Sequence, residues 1–222
     1  MDELKIITLR ESVFEDNNAD ANLLRQELTA KGVFLINLMA SPGSGKTSTL
    51  RALIPLLREE LSMAVMEADI DSSVDAEAIA RTGIKSIQLH TGGMCHLDAD
   101  MCRQGLKALN CDDLDLVVLE NVGNLVCPAE FDTGAHLNMT ILSVPEGHDK
   151  PLKYPLMYES CSLLVVNKTD VLPWFDFNMD QLREYATMRN PDITIIPISA
   201  KTGEGIAALA AWIINRVRTN HK

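Results

Sequence analysis

The chain has 222 residues, of which 46% are hydrophobic and 23% charged, and its formal net charge is −11 at pH 7. This is enough apolar material for one sizeable domain, with or without a short extension. The acidic balance argues against nucleic acid as a partner, because phosphate backbones require a basic surface. The sequence shows no signal peptide and no apolar run approaching the roughly 20 residues of a membrane span, so we expect a cytoplasmic protein without a membrane partner.

Strand-like and helix-like stretches alternate along the chain. Polar residues 11–31 carry leucines at helical spacing and end at Gly32, which predicts an amphipathic N-terminal helix. Residues 33–39 form a nearly continuous apolar run, as expected for a strand that is buried on both faces. Further strands are predicted at residues 64–67, 116–119, 139–144, 163–166 and 193–198. Helices are predicted between them at residues 47–61, 74–82, 98–109, 179–189 and 206–217. This alternation predicts an α/β fold with a mostly parallel sheet flanked by helices, whose ligands bind at the carboxyl ends of the strands.

The first apolar strand leads into Ala40-Ser41-Pro42-Gly43-Ser44-Gly45-Lys46-Thr47, which matches a phosphate-binding P-loop except that Ala40 replaces the first Gly. Gly43 and Gly45 let the N–H groups around Ser44 turn toward a phosphate, and the next helix, which includes Ser48, adds its positive end. Lys46 is predicted to bridge the β- and γ-phosphates. A Gly-rich turn with an incidental Lys is the alternative, which the flanking strand and helix disfavour. We therefore predict a three-layer P-loop NTPase domain at residues 32–222 after an N-terminal helical extension at residues 1–31.

A magnesium ion bound with the nucleotide needs oxygen ligands near the P-loop. Thr47 supplies a hydroxyl, Asp69 ends the second strand, and Asp75 lies just beyond it. Glu120 ends an apolar strand, where an ionised carboxylate rarely lies without a partner. The alternative role of Asp75, and of Asp71 before it, is to cap the next helix. The sequence therefore predicts Mg²⁺ ligands at Thr47, Asp69, Asp75 and Glu120, and it predicts catalytic roles for Lys46, Asp75 and Glu120.

A second motif, Asn167-Lys168-Thr169-Asp170, follows another buried strand. The Asp170 carboxylate can accept hydrogen bonds from N1–H and the exocyclic amine of guanine, a donor pair that adenine lacks. The stem of Lys168 can lie along the base, and Asn167 can tie this loop to the P-loop. Further along, Ser199-Ala200-Lys201 can offer a backbone N–H to the guanine O6. These residues predict GTP as the nucleotide, and they disfavour an ATP-dependent kinase.

The five cysteines are an odd number in a reducing compartment, which disfavours a disulfide framework. Adjacent Cys95 and His96, together with Cys127, form a thiolate and imidazole set that suits Zn²⁺ or Ni²⁺. Buried filler is the alternative role for a single Cys. Three ligands leave a position for water, another side chain or a second subunit. Because Cys127 lies seven residues after Glu120, a metal there would sit beside the segment expected to move with the γ-phosphate.

The sequence resembles the HypB family of hydrogenase nickel-incorporation GTPases, from about Asn22 onward. The resemblance rests on residues 37–47, 91–96, 119–128, 145–155 and 167–170, and residues 120–128 are its most specific part. It implies a GTP-dependent metallochaperone for nickel delivery to [NiFe]-hydrogenase, working with a nickel-accessory protein and the hydrogenase large subunit. It also implies a GTP-promoted homodimer whose interface holds metal on Cys95, His96 and Cys127.

By the same resemblance, Lys153 reaches the nucleotide of the second subunit, although Lys150 and Lys153 also fit an ordinary solvated pair. The chain departs from some family members because residues 1–30 contain no Cys and no His, so tight independent nickel capture is not expected. Asp98 and Asp100 stand in a stretch where some members have a further His. Two alternatives remain, a regulatory GTPase switch with a structural zinc site and a urease-type nickel accessory GTPase.

Overall fold

The computed structural model describes residues 5–8, 17–69 and 74–220 of the chain. Eight strands form one sheet: β1 (Lys5–Thr8), β2 (Phe34–Ala40), β3 (Met63–Asp69), β4 (Lys85–His90), β5 (Leu116–Glu120), β6 (Leu137–Ser143), β7 (Leu163–Asn167) and β8 (Thr194–Pro197). Their order across the sheet is β1-β4-β3-β5-β2-β6-β7-β8, and every neighbouring pair is parallel. The predicted fold class, a sheet of parallel strands flanked by helices, is confirmed.

The helices lie on both faces of this sheet. They are α1 (Asn17–Ala30), α2 (Lys46–Leu57), α3 (Val74–Ala80), α4 (Ala99–Leu109), α5 (Cys127–Glu130), α6 (Lys150–Lys153), α7 (Pro155–Glu159), α8 (Met179–Arg189) and α9 (Ile206–Asn220). One face of the sheet packs against α2, α3 and α9, and the other packs against α1, α4, α7 and α8. The apolar strands are buried on both sides because helices cover both faces. Among the described helices, none is both long enough and apolar enough to cross a membrane.

The structure adds two strands to those that the sequence predicts. Strand β1 pairs with β4 at one edge of the sheet, and β4 in turn pairs with β3. The β4 segment mixes polar and apolar residues, and Gln88 is nevertheless completely buried in it. A search for continuous apolar runs does not detect such a strand. Helix α2 was predicted to reach residue 61, but it ends at Leu57, and Leu61 then turns back into the core.

Helix α1 is joined to the body of the fold by packing and by polar contacts. Leu24 and Leu28 belong to the core beneath α4. Arg25 forms two hydrogen bonds of 2.7 and 2.8 Å to the carboxylate of Asp132 and one of 2.9 Å to the carbonyl of Ala135. The division into an extension at residues 1–31 and a domain at 32–222 stays a prediction.

The sheet order determines where the site can form. Strand β2 pairs with β5 on one side and with β6 on the other, and β5 also pairs with β3. The chain continues from β2 to β3 on one side, and later from β5 to β6 on the other side, so the direction of the connections reverses beside β2. In α/β sheets, ligands bind at such a switch point, outside the carboxyl ends of the strands.

Candidate functional site

The P-loop follows β2 and leads directly into α2. Gly45 precedes the first helical residue and has a left-handed backbone with φ of 98°. A Cβ atom at this position would lie 2.5 Å from Nδ2 of Asn167. Both the backbone angle and the close approach require glycine. The start of α2 points its free N–H groups into the loop, where they suit a phosphate.

One buried amide joins the P-loop to the two loops of the predicted base site. Nδ2 of Asn167 donates to the carbonyl of Ser44 at 2.9 Å. Its Oδ1 accepts hydrogen bonds from the N–H of Lys168 at 2.8 Å and from the N–H of Ala200 at 3.1 Å. The three loops thus share a single asparagine side chain, which fixes their relative positions. The predicted tie between Asn167 and the P-loop is present in the structure.

The charged side chains of the base site are also held by neighbouring loops. Lys168, with a φ of 64°, extends back to the P-loop, and its Nζ donates to the carbonyl of Gly43 at 2.7 Å. The hydroxyl of Ser199 donates to Oδ1 of Asp170 at 2.7 Å, and Nζ of Lys201 lies 4.0 Å from Oδ2. Ser199 therefore orients the carboxylate rather than leaving it free to rotate.

A cleft of about 700 Å³ lies between the base loops and α2. Its volume is in the range of small-molecule sites in proteins. The residues shared between the cleft and the predicted nucleotide site are Gly45, Ser48, Asn167, Lys168, Asp170, Ala200 and Lys201. The base motif thus opens onto the same cleft as Gly45 and Ser48 at the start of α2.

The phosphate side of the site contains a hydroxyl and a buried carboxylate in contact. The hydroxyl of Thr47 donates to Oε1 of Glu120 at 2.7 Å, and Glu120 is only 2% exposed. Oxygen donors of these two kinds suit Mg²⁺, so the residues fit the predicted ion. Asp69 ends β3 and is partly buried. The side chain of Asp75 lies outside the described part of the chain, and so does Asp71.

Glu67 is a residue that the sequence analysis did not select. It is as deeply buried as Glu120, and the two are register partners on β3 and β5. Register partners in a parallel sheet point to the same face, so a second carboxylate lies beside the first. In the sequence, Glu67 stands out as a carboxylate in an otherwise apolar strand. The sequence analysis included it in the predicted strand at residues 64–67 and gave it no role in the site.

The segment after β5 passes directly beside the P-loop. A Cβ atom at Gly123 would lie 3.3 Å from Nζ of Lys46 and 3.2 Å from the ring of Pro42. A side chain larger than hydrogen would therefore crowd the lysine that is predicted to hold the phosphates. The same segment begins at Glu120 and continues to Cys127, so it runs from the phosphate side of the site to the cysteines.

A chain of hydrogen-bonded asparagine side chains holds the beginning of this segment in place. Nδ2 of Asn121 donates to Oδ1 of Asn37 at 2.9 Å, and Nδ2 of Asn37 donates to Oδ1 of Asn138 at 3.1 Å. Asn138 continues the chain by donating to the carbonyl of Ser160 at 3.2 Å. The contacts run across β5, β2 and β6 on one face of the sheet. Buried amides need such partners, because an unsatisfied polar group in a core is destabilising.

The two cysteines of the predicted nickel or zinc site contact each other, whereas the histidine packs against an aromatic ring. A hydrogen bond with Cys127, together with burial, raises the pKa of the Cys95 thiol. The ring of His96 stacks on Phe131, with centroids 3.7 Å apart and an interplanar angle of 13°. Among the side chains that the structure describes, which do not include that of Asp75, no group of three or more His, Cys, Asp or Glu could hold a metal ion. The three-ligand set of Cys95, His96 and Cys127 stays a prediction.

Lys153 lies on the surface beyond β6. Its Nζ pairs with Oδ2 of Asp149 at 2.6 Å, and this hydrogen bond lowers the pKa of the Asp149 carboxyl. The side chain of Lys153 is 58% exposed, and Nζ of Lys150 lies 5.1 Å from the centre of the Tyr154 ring. The predicted reach of Lys153 to a second nucleotide stays a prediction.

Comparisons with known proteins agree with this geometry. The family model of the CobW/HypB/UreG nucleotide-binding domain matches residues 34–197. The chain is 44% identical over 215 residues to the hydrogenase maturation factor HypB of Azotobacter vinelandii, covering 96% of this chain and 70% of that protein. The crystal structure of HypB from Helicobacter pylori in complex with nickel has a TM-score of 0.88 and 32% identity, covering 94% of this chain and 98% of that one. HypB from Archaeoglobus fulgidus has a TM-score of 0.84 and 33% identity, covering 92% and 100%. The chain therefore belongs to the CobW/HypB/UreG nucleotide-binding family and, within it, to the HypB hydrogenase maturation factors.

Proposed function

We propose that the chain is a GTP-hydrolysing metallochaperone that assists nickel insertion during the maturation of [NiFe]-hydrogenase. One observation carries the proposal: the segment after β5 connects the nucleotide site to a pair of thiols. At one end Glu120 accepts the hydroxyl of Thr47, and at the other end Cys127 contacts Cys95. The nickel complex of the relative from Helicobacter pylori supports nickel as the cargo.

The nucleotide chemistry follows from the residues around the cleft. Asp170, oriented by Ser199, accepts the N1–H and amine hydrogens of guanine, which selects GTP over ATP. Lys46 stabilises negative charge on the β- and γ-phosphates. Thr47 and Glu120 would hold Mg²⁺, which neutralises charge on the phosphate oxygens when it is bound. Glu120, with Asp69 and Asp75 as further candidates, then positions the water that attacks the γ-phosphate.

Gly123 gives a physical route from the γ-phosphate to the cysteines. Because a Cβ atom at Gly123 would lie only 3.3 Å from Nζ of Lys46, a shift of Lys46 toward a phosphate changes the space that is open to this segment. The movement is passed along a short covalent path to Cys127. Two copies of the chain meet in the GTP-bound state, with Lys153 reaching toward the nucleotide of the second subunit. Hydrolysis then separates the copies and releases the metal to a partner.

The cargo site needs more ligands than one copy places together. Cys95 and Cys127 supply two sulfur ligands, and His96 can join them after its ring leaves Phe131. A second subunit supplies the same set at a two-fold interface. Sulfur and imidazole ligands suit both nickel and zinc, so either ion can occupy the site. All five cysteines are free thiols, which fits a cytoplasmic location.

Nickel affinity measured in three nucleotide states tests the proposal. Competition with a chromophoric chelator gives the affinity of the whole chain without nucleotide, with GDP and with a non-hydrolysable GTP analogue. We expect the affinity to differ between states by at least about fivefold, which is a typical coupling between two sites. Equal affinity in all three states would show that GTP and metal are not coupled. Light scattering on the same samples shows whether the GTP analogue promotes a dimer.

Two cysteine variants identify the metal site. Cys127→Ala removes a thiolate ligand, and we expect nickel affinity to fall by about a hundredfold or more, since even indirect supporting groups contribute tenfold to a hundredfold. Cys111→Ala is the matched control, because this thiol lies in a different part of the core. Unchanged nickel binding by Cys127→Ala, with GTP hydrolysis intact, would favour a regulatory GTPase whose cysteines are structural.

A further inference from the structure

Glu146 lies at the end of the 3₁₀ turn Val144–Glu146, which follows β6, and it also contacts the P-loop. Its Oε2 accepts hydrogen bonds from the backbone N–H and from the hydroxyl of Ser143, each at 2.7 Å. Its Oε1 accepts a hydrogen bond from the hydroxyl of Ser41, the first residue after β2. A single carboxylate therefore joins the beginning of the P-loop to the end of a neighbouring strand.

The two oxygens of this carboxylate have separate partners, and only one of them is needed to cap the turn. Ser143 and Glu146 form a capping box, for which Oε2 is sufficient. The donor to Oε1 is 105 residues away in the sequence and belongs to a different loop. The contact with Ser41 is therefore additional to the local turn, and it connects the P-loop to the segment after β6.

The chain beyond Glu146 leads directly into α6, which carries Lys150 and Lys153. Asp149 pairs with Lys153 across one turn, so the ammonium group is held relative to the backbone of α6. The turn that Glu146 closes is joined to α6 by residues 147–149, and α6 is also held by α8, where Nε of Arg189 donates to the carbonyl of Pro151 at 3.2 Å. The main-chain atoms of Ser41 belong to the P-loop, so a change in that loop on nucleotide binding displaces the donor that Glu146 accepts.

We propose that Glu146 is a positioning residue that transmits the nucleotide state of the P-loop, through Ser41, to the segment at residues 147–153. The inference deepens the proposed function, because that segment carries the lysine assigned to the second subunit's nucleotide. Hydrogen bonds to a charged group are stronger than neutral ones, so the ionised carboxylate couples the two segments more tightly than an amide can.

Hydrogen–deuterium exchange on the whole chain, with and without GDP, tests this inference. In the wild type, GDP slows exchange in the P-loop peptide and in the peptide that covers residues 147–153. Ser41→Ala removes the donor, and Glu146→Gln keeps an oxygen for the cap while it removes the charge. In both variants we expect protection of the P-loop to remain and the slowing at residues 147–153 to fall by about tenfold, the usual effect of a lost charged hydrogen bond.

A double variant and a control separate positioning from general stability. Ser41→Ala combined with Glu146→Gln should lose no more protection than Ser41→Ala alone, because Ser41→Ala already removes the contact that Glu146→Gln weakens. Ser160→Ala deletes a hydroxyl that bonds the Met157 carbonyl at 3.1 Å and the adjacent Cys161, and it should leave the exchange pattern unchanged. Three results would overturn the inference: nucleotide-dependent protection of 147–153 that survives both variants, its absence in the wild type, or additive effects. Failure of the wild type to hydrolyse GTP or to dimerise would instead refute the proposed function, and the exchange result would still decide the role of Glu146.

Discussion

Replacing Asp170 with Asn changes the guanine site by a single atom and preserves its support. The hydroxyl of Ser199 donates to Oδ1 of Asp170 at 2.7 Å, and an asparagine carbonyl can accept the same bond. The amide nitrogen then occupies the position of Oδ2. Because guanine presents N1–H and an amine to this side chain, the new N–H group would face a donor instead of accepting from one. The variant therefore preserves the hydrogen bond that supports the loop, and it replaces one of the two acceptors for guanine by a donor.

The expected loss follows from the bonds involved. One charge-assisted hydrogen bond disappears, and a buried donor on each side is left unpaired, which together destabilise the complex by about 3 to 4 kcal/mol. This corresponds to a fall in GTP affinity of about a hundredfold to a thousandfold. The ion pair with Lys201 contributes little to this change, because its atoms are 4.0 Å apart and the lysine side chain is 83% exposed.

The same substitution should improve binding of a different base. Xanthine has a carbonyl at C2 in place of the guanine amine, so it accepts a hydrogen bond from the new amide. Isothermal titration with GTP and with xanthosine triphosphate measures both effects on the wild type, on Asp170→Asn and on Asp176→Asn. The last variant makes the same chemical change on an exposed aspartate outside the cleft. If Asp170→Asn binds GTP within about threefold of the wild type, Asp170 does not read the base.

Three further substitutions or reactions test the packing of the site. Gly45→Ala should abolish nucleotide binding, because its Cβ would lie 2.5 Å from the side chain of Asn167 in the base loop. Gly32→Ala is the control, since Gly32 also has a positive φ but has open space around it. This control should lower only the free energy of unfolding, by about 1 kcal/mol. Asn37→Leu breaks the buried amide chain and should lower the free energy of unfolding by about 2 to 4 kcal/mol, measured by urea denaturation. Thr140→Val, on the adjacent β6, should change it by less than about 1 kcal/mol, because no described residue hydrogen-bonds that buried hydroxyl. Burial raises the pKa of Cys161 to about 12, so its thiolate fraction is very small near neutral pH and increases as the pH rises. We therefore expect maleimide to leave Cys161 unmodified at pH 7 in the folded chain and to modify it after unfolding, as measured by mass spectrometry.

The sequence was most informative where function depends on a short continuous segment. A P-loop needs its glycines, lysine and threonine at fixed spacing between a strand and a helix, so residues 40–47 predicted both the loop and its place in the fold. The base motif at residues 167–170 could be identified for the same reason. The predicted role of Asn167 as a tie between loops also depended only on its place at the end of a strand.

Contacts between distant segments could not be predicted in this way. Glu146 has an ordinary capping role in its own turn, and nothing near it in the sequence points to Ser41. Likewise, Asn37 and Asn121 are single polar residues in or after apolar strands, and their bond depends on β2 and β5 being neighbours in the sheet. Strand β4 was missed because it mixes polar and apolar residues, so no continuous apolar run marks it. The strand order decides all of these contacts, and no local pattern encodes it.

The arrangement of the thiols gives the proposed coupling its physical basis. Cys95 lies in the loop after β4 and Cys127 begins α5 after β5, and β3 lies between these two strands in the sheet. The two thiols therefore come together from loops that follow strands on either side of β3. A ligand set built from both loops is sensitive to any change in either loop. Because the Cys127 loop is also the one that passes Lys46, we expect a nucleotide that moves this loop to change the distance between the two sulfur atoms, and with it the affinity for the metal.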